Sequence, residues 1–214
     1  MSKIEILHSD PHLLVVNKPP GMLVVAAPGR RATTLVDVLS RQLGARVYPV
    51  HRLDEGTTGV LMLARSVEAQ EKLAEIFRSH RIERIYLALL TAVPTPPAGR
   101  IESYLLEDSR GVLHSVNKKQ GGKRAVSEYR VLERRGRHAL VECRLETGRR
   151  NQIRAHMAEL GCPVVGDRKY GFRGKGVDGV SRPLLHACRL RLEHPFGGEP
   201  ILVDCPAAES ELRL

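Results

Sequence analysis

The chain of 214 residues contains no tryptophan and three phenylalanines, and aromatic residues make up 4% of it. A single-strand-binding surface built from rows of stacking aromatics is therefore not expected. No apolar run approaches the ~20 residues that cross a bilayer. The opening Met1-Ser2-Lys3-Ile4-Glu5 lacks the apolar core of a signal peptide. No membrane partner is expected, and a cytoplasmic location is. Cysteine is limited to Cys143, Cys162, Cys188 and Cys205, none in C-x-x-C spacing. A structural zinc site normally brings two ligands close together in sequence, so these read as reduced, mostly buried thiols and no metal is expected. The nine histidines are equally scattered. With no nucleotide-cofactor motif, no cofactor is expected, and neither an internal repeat nor a low-complexity tract is present.

Positive charge is plentiful. Thirty-four Lys and Arg stand against 24 Asp and Glu, giving a formal net charge of +10 and a pI near 9.8. Such a field favours a polyanionic partner, because each phosphate neutralised releases condensed counterions. Arg supplies 26 of the 34 cations, and its planar fork matches phosphate oxygens and stacks on bases. Charge and composition together point to a soluble protein that binds nucleic acid.

Hydrophobic residues form 42% of the chain, enough for a real core at this length. Residues 4–8, 12–18, 47–50 and 60–64 read as strands, with a turn at Asp10-Pro11. Residues 34–43 read as a helix capped by Thr33 or Thr34 and ended by Gly44. Ser66 caps a second helix to about Arg78, with Val67, Leu73, Ile76 and Phe77 as its apolar face. Strands follow at 85–90, 100–106, 126–132, 139–145, 184–192 and 200–203. A third helix over 150–160 carries Ile153, Met157 and Leu160 on one stripe and stops at Gly161. Pro94-Thr95-Pro96-Pro97 is too short for a linker and reads as a turn between strands. Strands in consecutive runs, not in βαβ repeats, indicate an α+β fold with a mixed, largely antiparallel sheet and flanking helices. One domain over 1–214 is expected.

Two segments concentrate chemistry. Val50-His51-Arg52-Leu53-Asp54-Glu55-Gly56-Thr57-Thr58-Gly59 sets a carboxylate on a short loop between two strands, where a rigid frame can present it to a substrate. Glu146-Thr147-Gly148-Arg149-Arg150-Asn151-Gln152-Ile153-Arg154-Ala155-His156-Met157 feeds a Gly turn into a helix N-terminus dense in Arg and amides, an anion-binding end. Arg154 follows Ile153 on the apolar face, so its guanidinium is expected near the core edge with a carboxylate partner such as Asp54. The basic stretch Asn117-Lys118-Lys119-Gln120-Gly121-Gly122-Lys123-Arg124 reads either as a solvated hairpin tip or as a phosphate clamp.

The first segment resembles the H-R-L-D-x-x-T-S-G signature of the RluA-type pseudouridine synthases, with Thr58 in place of Ser. The second is similar to their T-G-R-x-H-Q-[IL]-R-x-H motif, continued by Gly161-Cys162-Pro163-Val164-Val165-Gly166-Asp167, with Asn151 where many members have His. Val16-Asn17-Lys18-Pro19-Pro20-Gly21 resembles the N-K-P-x-G turn, and Arg84-Ile85-Tyr86-Leu87-Ala88 the K-x-Y-x-A strand. Leu184-Leu185-His186-Ala187-Cys188-Arg189-Leu190 with His194-Pro195 resembles the L-H-A-x-x-L…H-P closing strand. The matches are colinear from about residue 5 to residue 205.

This resemblance implies a pseudouridine synthase fold with a central catalytic cleft, and isomerisation of uridine to pseudouridine in ribosomal or transfer RNA without cofactor or metal. It implies Asp54 as the catalytic carboxylate, ionised to act as nucleophile or to remove a sugar proton, and Tyr86 as the strand tyrosine that contacts the target base and assists proton transfer. It implies Arg154 as the cation paired with Asp54, and Arg52 as the residue that fills the gap left by the flipped base. His51 stays outside the chemistry. The expected partner is RNA and the expected state a monomer. No N-terminal S4-like domain is expected, so target selection would rest on basic loops such as Arg30-Arg31 and Lys118 to Arg124. Two readings from other classes are an RNA-binding protein without activity, which would need no paired Asp and Arg, and an Asp-dependent hydrolase, for which no second carboxylate motif is present.

Overall fold

The structure, a computed structural model, describes residues 3–174, 179–208 and 212. In chain order its elements are β1 (Glu5–Ser9), β2 (Leu13–Lys18), α1 (Leu35–Leu43), β3 (Tyr48–Pro49), β4 (Thr58–Ala64), α2 (Val67–Arg78), β5 (Ile82–Leu90), β6 (Ala98–Glu107), β7 (Leu113–Val116), β8 (Lys123–Arg135), β9 (His138–Leu145), α3 (Gln152–Glu159), β10 (Leu185–Leu192) and β11 (Ile201–Asp204). Single 3-10 turns lie at Lys118–Gln120 and Arg168–Tyr170. The chain divides into two compact units, Met1–Glu83 with Ala187–Pro206, and Arg84–His186 with Ala207–Leu214.

In the first unit the strands run β1-β2-β4-β10, with β3 on β4 and β11 on β10. The pairings β1–β2, β2–β4, β3–β4 and β10–β11 are antiparallel. Every residue of β4 is buried, as suits a central strand covered on both faces. Its alternate residues Val60 and Met62 join Leu13 and Val15 of β2, Leu73 and Ile76 of α2, and Leu190 and Val203 in one apolar cluster. Helix α1 starts where predicted. Thr34 Oγ1 accepts from Asp37 N–H, and the Asp37 carboxylate accepts from Thr34 N–H, a reciprocal capping box. Helix α2 also starts on its Ser66 cap, but Val67 is 53% exposed and the buried face is Ala69, Leu73 and Ile76. Those three keep the 4-then-3 spacing of one helical face, and Val67 lies about half a turn away from it.

In the second unit the order is β5-β9-β8-β6-β7 and the pairings are antiparallel. Strand β7 is not expected from the sequence. Helix α3 lies against β7 and β8. It begins at Gln152, later than predicted, because Asn151 takes the left-handed conformation (φ 52°); Asn tolerates that conformation better than most residues. Leu160 is 37% exposed and does not continue the predicted apolar stripe. The buried residues of α3 are Gln152, Ile153, Arg154, Ala155, His156 and Met157, a helix packed as much through polar groups as through apolar ones.

Candidate active site

Asp54 stands half-buried on the loop between β3 and β4. The residues around it fix this loop through the backbone. Thr57 N–H donates to the Asp54 carbonyl at 3.0 Å and closes a turn, while Gly21 N–H donates to the Glu55 carbonyl at 2.9 Å. Beneath the loop, Lys18 has no exposed surface, and its Nζ donates to the carbonyls of Pro19 at 2.9 Å, Glu55 at 3.0 Å and Thr57 at 2.9 Å. A buried ammonium needs oxygen partners for all three of its protons, and here two of the three come from the Asp54 loop. On the outer side Arg30 grips the Glu55 carboxylate through two hydrogen bonds of 2.7 and 2.8 Å. The guanidinium holds the Glu55 carboxyl below its ordinary pKa.

His51 Nε2 accepts from Met62 N–H at 2.9 Å, and its ring stacks on Phe77 at 4.4 Å. The ring therefore carries its proton on Nδ1 and ties the loop to β4, a structural role. Gly59 enters β4 at φ 101°, and a Cβ there would fall 2.1 Å from the carbonyl oxygen of Ala187 on β10. No side chain fits, which accounts for the glycine that ends the motif. Arg52, two residues before Asp54, is exposed and has no ion pair among the described residues.

The other two predicted residues belong to the second unit. Tyr86 is buried in β5, opposite Cys143 of β9. Two residues before it, Arg84 is 7% exposed, and burial lowers its pKa against the opposing pull of Tyr86. Arg154 is buried on α3, and its guanidinium binds the carboxylate of Asp167. Nε donates to Oδ2 at 2.6 Å and Nη2 to Oδ1 at 2.8 Å. Asp167 is 1% exposed, accepts in addition from Tyr170 N–H at 3.3 Å, and Tyr170 lays its ring under the guanidinium at 5.1 Å. The bidentate geometry fixes the plane of the Arg154 fork.

A further group of hydrogen bonds fixes the helix that carries Arg154. Gln152 Oε1 accepts from Thr147 Oγ1 at 2.7 Å and from Arg149 N–H at 2.9 Å, while Nε2 donates to Val126 O and Ser127 Oγ, each at 2.9 Å. All four hydrogen bonds of a buried amide are thus made. His156, fully buried, bridges Ser127 Oγ at 2.9 Å and Ser103 Oγ at 3.0 Å. Burial lowers its pKa.

Within the first unit Lys18 holds the Asp54 loop, and within the second Asp167, Gln152 and Thr147 hold Arg154 and its helix, roles the sequence alone does not assign to them. The signal that could have found them is their place inside the motifs: Lys18 in N-K-P-x-G, Gln152 in Q-[IL]-R and Asp167 in the terminal G-D. The basic stretch 117–124 is also more ordered than a loop. Lys118–Gln120 forms a 3-10 turn, with Gln120 Oε1 accepting from Asn117 N–H at 2.8 Å and Gly121 left-handed at its end. Arg124 lies in β8 and is held by Glu102 through bonds of 2.7 and 3.1 Å. Lys118, Lys119 and Lys123 are exposed without a carboxylate partner among the described residues. The Arg30-Arg31 pair is likewise reduced to Arg31, since Arg30 is committed to Glu55.

No helix among the described residues is long and apolar enough to cross a membrane. A family model described as RNA pseudouridylate synthase matches residues 12–159. The chain is 35% identical to RNA pseudouridine synthase 2, chloroplastic, of Arabidopsis thaliana, covering 95% of this chain and 62% of that protein. It is 37% identical to the ribosomal large subunit pseudouridine synthase D of Xylella fastidiosa, over 99% of this chain and 68% of that one. It therefore spans about two thirds of the length of either relative. Among solved structures, human RNA pseudouridylate synthase domain containing 4 superposes with a TM-score of 0.80 at 28% identity, covering 97% of this chain and 90% of its own. From the motifs around Asp54, Tyr86 and Arg154 to the match of chain and fold, the chain belongs to the RNA pseudouridine synthase family, among its RluA-type members.

Proposed function

We propose that this chain isomerises specific uridines of structured RNA to pseudouridine, acting as one catalytic domain, as a monomer and in the cytoplasm. Ribosomal RNA is the favoured substrate, because relatives such as the Xylella protein carry a ribosomal large subunit name; transfer RNA is the second candidate. The reaction breaks the C1′–N1 bond, turns the uracil, and joins C5 to C1′; the proton that leaves C5 is balanced by one gained at N1, so product and substrate are isomers. A uridine stacked in RNA hides these atoms, and the base must be extruded to react.

Asp54 carries the chemistry in this reading, either by attack at C1′ or by removal of a sugar proton. The supporting observation is its mounting: a carboxylate on a loop whose Asp54, Glu55 and Thr57 carbonyls are held by Thr57 N–H, Gly21 N–H and Lys18 Nζ. A positioned acid of this kind is what a reaction without cofactor requires. The family pattern supplies the other roles, Arg154 as the counter-charge of Asp54, Tyr86 against the target base, and Arg52 in the gap left by that base. Asp167 and the Gln152 hydrogen bonds support the first of these by fixing the Arg154 fork on a rigid helix.

The test is tritium release from RNA labelled at uridine C5. Asp54→Asn is expected to abolish release while RNA affinity stays within several-fold, since a carboxylate repels phosphate. Near-normal release by the variant would end this reading, and RNA binding without release by the wild-type protein would establish an RNA-binding module instead.

A further inference from the structure

Thr57 is 2% exposed, and its hydroxyl oxygen is buried with no hydrogen-bond partner among the described residues. Its backbone is fully engaged: the N–H closes the turn onto the Asp54 carbonyl, and the carbonyl accepts from Lys18. The orphan hydroxyl is not a habit of this fold. Thr34 Oγ1 caps α1, and the buried Thr147 Oγ1 accepts from Val126 N–H at 2.8 Å while donating to Gln152. A buried donor without an acceptor destabilises the fold, because its hydration is lost and nothing replaces it. Valine has the same shape without that cost, so packing alone does not account for a threonine here.

The position of the residue suggests what the hydroxyl waits for. Asp54-Glu55-Gly56-Thr57 is a single turn closed by a 3.0 Å bond from its last residue to its first. The Cα atoms at the ends of such a turn lie within about 7 Å of each other, so Thr57 is one turn-width from Asp54. The loop's other strong donor, the Lys18 ammonium, already serves backbone carbonyls, and Arg30 serves Glu55. We propose that Thr57 is a positioning residue for Asp54: its hydroxyl donates to the Asp54 carboxylate once that side chain turns to meet the reacting nucleotide, holding it in the productive rotamer. This rests on the reading of Asp54 given above. It places an unfavourable arrangement in the resting protein that is relieved on the way to the transition state, where interactions raise kcat.

Thr57→Val and Thr57→Ser separate the hydroxyl from the shape. Three readouts are taken on each: thermal unfolding, RNA affinity, and single-turnover tritium release at saturating RNA. Val is expected to leave the Tm unchanged or raise it, to leave affinity within about two-fold, and to slow release by about ten-fold or more, the effect of one hydrogen bond to a charged group. Ser is expected to keep most of the wild-type rate. A threonine with only a structural role would move Tm and rate together. Wild-type release by Val overturns the proposal. So does a Tm several degrees lower for Val, which would show the hydroxyl bonded in the resting fold, as does equal slowing by Val and Ser. If Val fails to fold, Thr57→Ala takes its place, and wild-type release by Ala overturns the proposal. A wild-type protein that releases no tritium would remove the isomerase reading, and this proposal with it. An active wild-type protein matched by Val removes this proposal alone.

Discussion

Replacing Arg154 by Met strips the guanidinium from a carboxylate that has almost nowhere to go. Asp167 is 1% exposed, and both of its oxygens are taken by Arg154. Removing one member of a buried ion pair destabilises by about 3–5 kcal/mol, because the remaining charge stays desolvated. Domains of this size commonly have about 5–15 kcal/mol in total. At about 2–4 °C per kcal/mol the Tm should fall by about 6–20 °C. Activity should fall too, but a fall in activity by itself does not separate catalysis from instability. The double replacement Arg154→Met with Asp167→Leu removes both charges, and such swaps are often neutral for folding. The double variant is therefore expected to regain most of the Tm while tritium release stays far below wild type. Thermal unfolding and single-turnover release on the same preparations give both numbers. Recovery of activity along with stability would refute a catalytic role for Arg154 and leave the pair as a fastener. A Tm decrease below about 2 °C for the single variant, less than one kcal/mol, would refute the energetic reasoning.

Three further outcomes are expected. Lys18→Met should lower stability by at least about 3 kcal/mol, since three carbonyls are deprived of a charged donor; denaturant unfolding checks this, and an unchanged midpoint would count against the ammonium as the loop's anchor. Neutralising Lys118, Lys119 and Lys123 should lower the magnitude of the log–log salt slope of RNA binding by ~0.7–0.9 for each phosphate that is no longer neutralised, with release at saturating RNA much less affected; an unchanged slope returns the segment to a solvated tip. Burial holds the folded pKa of His156 below the ordinary 6.5, so the neutral ring's contribution is complete above that value and is lost as the pH falls toward the folded pKa. His138 shifts the same way for the same reason. Stability measured from pH 7.5 to 5 should therefore decline, and His156→Gln should flatten the decline relative to wild type.

Where local chemistry dictates structure, the sequence is readable. Thr34, Asp37 and Gly44 announce both ends of α1 within its own span, and Ser66 does so for the start of α2. The Asp54 loop is bracketed by β3 and β4, which the apolar runs on either side of it announce. What escapes is set by residues distant along the chain. The apolar stripe of α3 is visible in its own residues, yet Gln152 and His156 are buried because Ser127, Thr147 and Ser103 bond them from outside the helix. Asp167 meets Arg154 only after the chain turns back at Gly161 and Gly166. Lys18 resembles one more turn residue, since a lysine is ordinarily solvated; its burial depends on carbonyls 37 and 39 residues further on. Strand β7, four residues with an exposed His114-Ser115 at its centre, carries too little alternation to stand out.

The two ends of the first unit's chain have a consequence for synthesis. Strand β4, which follows the Asp54 loop, ends at Ala64, and the close approach of Gly59 involves Ala187, 123 residues later. At about 5–20 residues per second a ribosome needs about 6–25 s to cover that interval. Through it, the apolar face of β2, β4 and α2 lacks Leu190, Leu192, Ile201 and Val203, while residues 84–186 of the second unit are made, a unit that itself still awaits Ala207–Leu214. The first-made strands must wait for the last-made ones, so a nascent chain stalled before residue 187 should expose the frame of Asp54 to proteases and chaperones.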